Sequence, residues 1–176
     1  MRNPLATLLY RLGQVRQQLG FVAPLSPQER QEVAGQLSAD ALRLFESMSP
    51  ADQRHALRVF RGVQARGWSD RDILAAALLH DVGKAAGRVP FWTRPVVVIG
   101  KRCAPRLLTR LTVYPPEGNR LPRWRRSLSA AWWHAEVGAD LAAAAGLSER
   151  TIHYIRMHHR PDCPELAELH LVDEAS

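Results

Sequence analysis

Residues 70–84 read Asp70-Arg71-Asp72-Ile73-Leu74-Ala75-Ala76-Ala77-Leu78-Leu79-His80-Asp81-Val82-Gly83-Lys84. From Ile73 to Leu79 every side chain is apolar, a run that neither a surface helix nor an alternating strand carries. The segment therefore predicts a helix over 70–81 that is buried on nearly all sides. Ser69 and Asp70 offer the oxygen that starts it, and Gly83 is placed to end it as a C-cap. His80 and Asp81 emerge where that buried helix stops, so both lose their water. A divalent metal compensates the loss directly, because imidazole and carboxylate are its natural ligands.

Helix starts recur on both sides of this segment. Ser26-Pro27-Gln28-Glu29 is a capping box, Ser49-Pro50-Ala51-Asp52 joins a cap to a proline at the first helical position, and Ser148-Glu149 opens a further helix. With 70–81, the apolar spacing predicts helices over 4–19, 27–36, 38–47, 50–66, 94–111, 122–145, 149–159 and 164–175, and no strand. The expected fold class is all-α. Residues 85–126 carry Pro90, Pro95, Pro105, Pro115, Pro116 and Pro122 among aromatics and arginines. They are expected to form a long connection with one short helix, suited to a lid or to packing its own aromatics on the core.

Other metal-ligand types fall on inward faces. His55 lies at the rim of the stripe Ala56, Val59, Phe60 and Val63, and His134 shares a face with Ala130, Val137, Gly138 and Leu141. His158 and His159 stand at the edge of the stripe of Ile152 and Ile155, and Asp173 closes the apolar segment Leu166 to Val172. Four inward-leaning histidines on four helices are hard to explain as core filling. His153 and His170 lean toward solvent, and Asp52, Asp140 and Asp162 read as cap or surface acids.

The chain has 176 residues, enough for one domain, with 24 basic against 17 acidic residues and only two lysines, Lys84 and Lys101. An arginine-rich balance suits polyanions, phosphate esters first, and equally a solvated surface; a nucleic acid is compatible without being indicated. Cys103 and Cys163 do not make a disulfide framework, which fits a reducing cytoplasm. The run Val96-Val97-Val98-Ile99 is far too short to span a membrane. An oligomer is compatible with all of this.

The segments Arg54-His55-Ala56-Leu57-Arg58-Val59, Ala77-Leu78-Leu79-His80-Asp81-Val82-Gly83-Lys84 and Leu171-Val172-Asp173 resemble the H…HD…D pattern of the HD-domain superfamily. His134-Ala135-Glu136-Val137-Gly138-Ala139 and Ile155-Arg156-Met157-His158-His159-Arg160 are similar to the added histidines of its dinuclear branches. The resemblance covers about residues 49–176, leaving 1–48 as a helical extension packed on the core and 85–126 as an insertion. It implies a helical bundle holding two divalent ions, iron or manganese among the candidates. His55, His80, Asp81 and Asp173 would form the first site, with Asp81 bridging, and His134 and His158 the second, with His159 a further candidate.

The implied reaction is phosphohydrolase or phosphodiesterase chemistry, in which a bridging hydroxide attacks phosphorus. Lys84 would hold a phosphate oxygen, with Arg58 and Arg160 as substrate-binding candidates. Departures limit what the resemblance implies. Arg160-Pro161-Asp162-Cys163-Pro164 stands where cyclic-di-GMP phosphodiesterases of the HD-GYP type carry their GYP text, and Ala51 stands where some of them place a third-metal glutamate. Diadenosine tetraphosphate hydrolases of the HD type share the ligand order and differ in the loop between the second and third motifs. A non-catalytic nucleotide sensor that keeps the metal fold is the alternative, and oxygen activation by two irons a third class.

Overall fold

The structure, a computed structural model, describes residues 22–86, 93–114 and 121–176. All regular structure among them is helical: α1 (Pro27–Ala34), α2 (Ala39–Glu46), α3 (Pro50–Ala65), α4 (Arg71–Leu79), α5 (Gly83–Ala86), α6 (Thr93–Cys103), α7 (Pro105–Leu111), α8 (Arg123–Trp132), α9 (His134–Ala144), α10 (Glu149–Met157) and α11 (Pro164–Ala175). The expected helix over 4–19 lies outside the described residues. None of the described helices is long and apolar enough to cross a membrane.

The helix starts follow the side-chain chemistry. Ser26 and Glu29 form the reciprocal capping box, while Ser38, Ser49, Asp70 and Ser148 each accept from an amide of the first turn. Helix α4 is the centre of the bundle, with Ile73 to Leu79 all buried, and α2, α3, α10 and α11 pack around it. Its core is continuous with Leu25, Val33, Phe45 and Met48 from the N-terminal side. Arg54 ties that side down by donating to the carbonyls of Ala23 and Pro24 at 2.6 and 2.8 Å.

Three details differ from the expectation. Residues 94–111 form two helices rather than one, because Ala104, held next to Pro105, leaves helical geometry at φ −148° and ψ 55°. The expected helix over 122–145 breaks at Trp133, which has φ −101° and ψ 15°. Residues 85–126 thus hold α6, α7 and the first turn of α8, which share a small core of their own built on Val97, Leu108, Leu128 and Ala131.

Gly83 is the third difference. It is the first residue of α5 rather than a left-handed cap, and among the described residues only Gly67 and Gly146 have positive φ. Its role is close approach. A Cβ on Gly83 would lie 2.8 Å from the amide nitrogen of Gly138, so the start of α5 rests directly on α9.

Candidate metal centre

Register brings the histidines together. Helices α4 and α10 are nine residues each, and their first turns are tied side by side, since Thr151 Oγ1 donates to Asp72 Oδ1 at 2.9 Å and Arg150 pairs with Asp70 at 3.0 Å. Parallel helices of equal length that start level end level. His80 and His158, the residues that follow them, therefore meet with ring centroids 5.2 Å apart. Helix α3 delivers His55 from the far side, and α11 lies close enough to it that a Cβ on Gly62 would fall 2.5 Å from Val172 Cγ1. That approach places His55 Nε2 at 2.8 Å from Asp173 Oδ1.

Three of these histidines use the same device. Nδ1 of His80 faces the carbonyl of Ala77 at 3.0 Å, Nδ1 of His134 that of Ala131 at 2.8 Å, and Nδ1 of His158 that of Ile155 at 2.7 Å. A carbonyl can only accept, so each Nδ1 carries the proton and donates to a carbonyl of the helix's last turn. The tautomer is thereby fixed with Nε2 turned into the interior, as in metal-binding histidines. Nε2 of His80 and of His158 are buried without a well-formed hydrogen bond. The approaches of His80 Nε2 to Asp173 Oδ1 and Asp81 Oδ2, at 3.4 and 3.6 Å, do not make one.

Asp81 lies between two groups. One carboxylate oxygen, Oδ2, is 3.6 Å from His80 Nε2 and 4.0 Å from His55 Nε2, and the other, Oδ1, is 3.7 Å from His134 Nε2. The ligand atoms of His55, His80 and Asp173 lie within 4.8 Å of one another, and so do those of His134, His158 and His159. Two atoms bound to one ion at about 2.1 Å are at most about 4.2 Å apart. Each group thus needs only a small inward movement to enclose a cation, and a mixed imidazole and carboxylate set suits a borderline divalent ion.

The electrostatics agree with the tautomers. Burial, joined by the neighbouring Lys84, pushes His134 down to about 3, and burial with the surrounding histidines holds His158 well below the ordinary imidazole value. Both are neutral at pH 7, the form in which an imidazole could bind a cation. Burial also works against the charged form of His80, but the carboxylates of Asp81 and Asp173 outweigh it and raise its pKa. For Asp81, burial is outweighed by Lys84 and the histidines, and for Asp173 by the hydrogen bond from His55 and the nearby His80, so both stay ionised. His159 Nε2 stands 3.0 Å from His134 Nε2, so in the neutral pair it donates to the lone pair that His134 turns inward.

The expected ligands His55, His80, Asp81, His134, His158 and Asp173 all come together, and His159 joins them. Lys84 reaches Asp81 Oδ2 directly, with its side chain about one-fifth exposed (19%). Arg58 donates to the main-chain carbonyl of Ser176 at 3.3 Å, and Arg160 is exposed just past His159. Neither is among the side chains that face one another in the cluster. His153 pairs with Asp162 at 3.2 Å and His170 stands beside Glu174 at 3.5 Å. The carbonyls of Ala77, Ala131 and Ile155, which orient His80, His134 and His158, are not among the expected site groups. Their sign is a histidine placed at a helix end, three residues after an apolar position. No family model, curated protein or solved structure matches the chain.

Proposed function

We propose that this protein is a metal-dependent phosphohydrolase or phosphodiesterase of the HD-domain type, acting on a nucleotide or another phosphate ester. The observation that carries the proposal is the placement of Asp81, with its two carboxylate oxygens turned toward different histidine groups whose tautomers are fixed by carbonyls. His55, His80 and Asp173 would hold one divalent ion and His134, His158 and His159 another, with Asp81 shared. Bound there, the two ions supply the positive charge that activates water and neutralises a phosphoryl oxygen.

The chain's own residues supply the rest. Lys84, partly exposed beside Asp81, exchanges its carboxylate partner for a phosphate oxygen when substrate enters. The buried, carbonyl-oriented histidines keep the donors in place before any ligand arrives, so little reorganisation is needed during the reaction. The test is a panel of phosphomonoesters, cyclic dinucleotides and dinucleoside polyphosphates with manganese or iron added. Release of phosphate or nucleotide that is lost in Asp81→Ala supports hydrolysis. Binding of a nucleotide that stays intact would instead identify a sensor.

A further inference from the structure

The charge of this chain is not spread over it. Residues 93–114 and 121–126 contain eight basic side chains and no acidic one, leaving 16 basic against 17 acidic in the remainder. The whole net charge of +7 therefore belongs to helices α6 and α7, the turn after them and the start of α8. The exposed apolar surface is gathered in the same place. Of the large apolar side chains exposed among the described residues, all but Leu171 lie between Val96 and Trp124.

On α6, Val96, Ile99 and Cys103 follow helical spacing down one exposed face. The adjoining face, with Thr93, Val97 and Gly100, is turned inward: Val97 is buried in the small core, and a Cβ on Gly100 would lie 2.4 Å from Leu108 Cδ1. Packing of α6 on α7 thus leaves Ile99 61% exposed and Leu107 56% exposed, each one residue before a member of that seam. Trp124, 49% exposed, stands between Arg123 and Arg125 at the start of α8.

We infer that this face docks on an anionic lipid surface, with Val96, Ile99, Leu107 and Trp124 entering the headgroup boundary while the arginines meet lipid phosphates. Aliphatic side chains and a tryptophan amid basic residues have the chemistry of an interfacial helix. A polynucleotide would reward the arginines but leave Ile99 and Leu107 without a stacking role. A second copy of the chain would bring together two faces drawn from stretches with eight basic and no acidic residues, which like-charge repulsion opposes. The inference is independent of what the metal centre does.

The experiment is co-sedimentation of the full chain with vesicles of phosphatidylcholine alone, or containing about one quarter phosphatidylglycerol. Binding is expected to the anionic vesicles only, to weaken with salt, and to fall at least about tenfold in the double variant Ile99→Asp, Leu107→Asp. Both residues are exposed, so circular dichroism and the melting temperature should stay as in the parent. A blue shift of tryptophan emission on binding should shrink in Trp124→Phe. Binding that survives the double variant overturns the inference, as does failure to sediment with anionic vesicles. Salt-sensitive capture of a single-stranded oligonucleotide without vesicle binding identifies a polynucleotide surface instead, and a dimer that depends on Ile99 and Leu107 identifies a self-association face; either result also overturns it.

Discussion

Gly83 lies so close to His134 that a methyl group on its Cα would sit 2.1 Å from the His134 carbonyl oxygen. The neighbour is main chain, so no rotamer change relieves the clash. Gly83→Ala is expected to cost about 1–3 kcal/mol, in the range of overpacked cores, and to push apart the two segments that carry Asp81 and His134. Urea unfolding checks the first effect. Metal titration checks the second, with affinity falling more for the ion at His134, His158 and His159 than for the one at His55, His80 and Asp173. Unchanged stability would refute the close-packing role.

Asp72 sets the register of α4 against α10 through Ser148 and Thr151. Asp72→Ala should lower stability by about 1 kcal/mol through loss of these side-chain hydrogen bonds. It should also weaken metal binding, although the residue lies at the opposite end of both helices from the ligands. A variant that loses stability and keeps full metal affinity would show that other packing sets where the histidines meet.

Metal should act as a stabilising ligand, because the donors converge only in the folded chain. At a free manganese concentration about a hundredfold above its dissociation constant, each bound ion adds about 2.7 kcal/mol to folding, which for a chain of this size raises the melting temperature by about 5–10 °C per ion. Thermal scans with and without metal measure it. About half of the shift should be lost in His158→Ala, which removes a donor from one of the two groups, and the whole shift kept in His153→Ala, whose ring pairs with Asp162 outside the cluster.

Acid should weaken the metal-free protein well above the pH at which carboxylates titrate. His134 is pushed down to about 3 and His158 is also strongly lowered, so below an ordinary imidazole pKa of 6.5 the unfolded chain takes up protons that the folded chain refuses. Stability therefore falls as pH drops from 6.5 toward 3, by at most about 1.4 kcal/mol per pH unit for each such group. His80, whose pKa is raised, acts in the opposite sense, adding stability at low pH that is lost as pH rises through its folded value. Denaturation midpoints across this range test the balance, and His134→Ala should flatten the slope.

Much of the fold is legible in single residues. The oxygens of Ser26, Ser49, Asp70 and Ser148 mark helix starts because orphan amides need local acceptors, and the apolar run Ile73 to Leu79 marks the central helix because nothing on it can face water. The break at Trp133 was not legible, since no proline or glycine marks it. Gly83 is ambiguous in the sequence for a related reason: a glycine after a helix fits a left-handed cap and a close contact equally well, and only tertiary packing separates the two. The candidate cluster was legible residue by residue because His80, His134 and His158 fall on inward faces and His55 and Asp173 at their rims. What local spacing could not show is the pairing of Asp81 Oδ2 with one group and Oδ1 with the other, which depends on the level at which four separate helices end.

We propose that His55, His80, Asp81, His134, His158, His159 and Asp173 hold two cations with Asp81 shared between them. Elemental analysis of the full chain, produced with iron and manganese supplied, tests it most directly. About two equivalents of metal per chain are expected, falling sharply in Asp81→Ala. Fewer than about one equivalent, or a content that Asp81→Ala leaves unchanged, would contradict it.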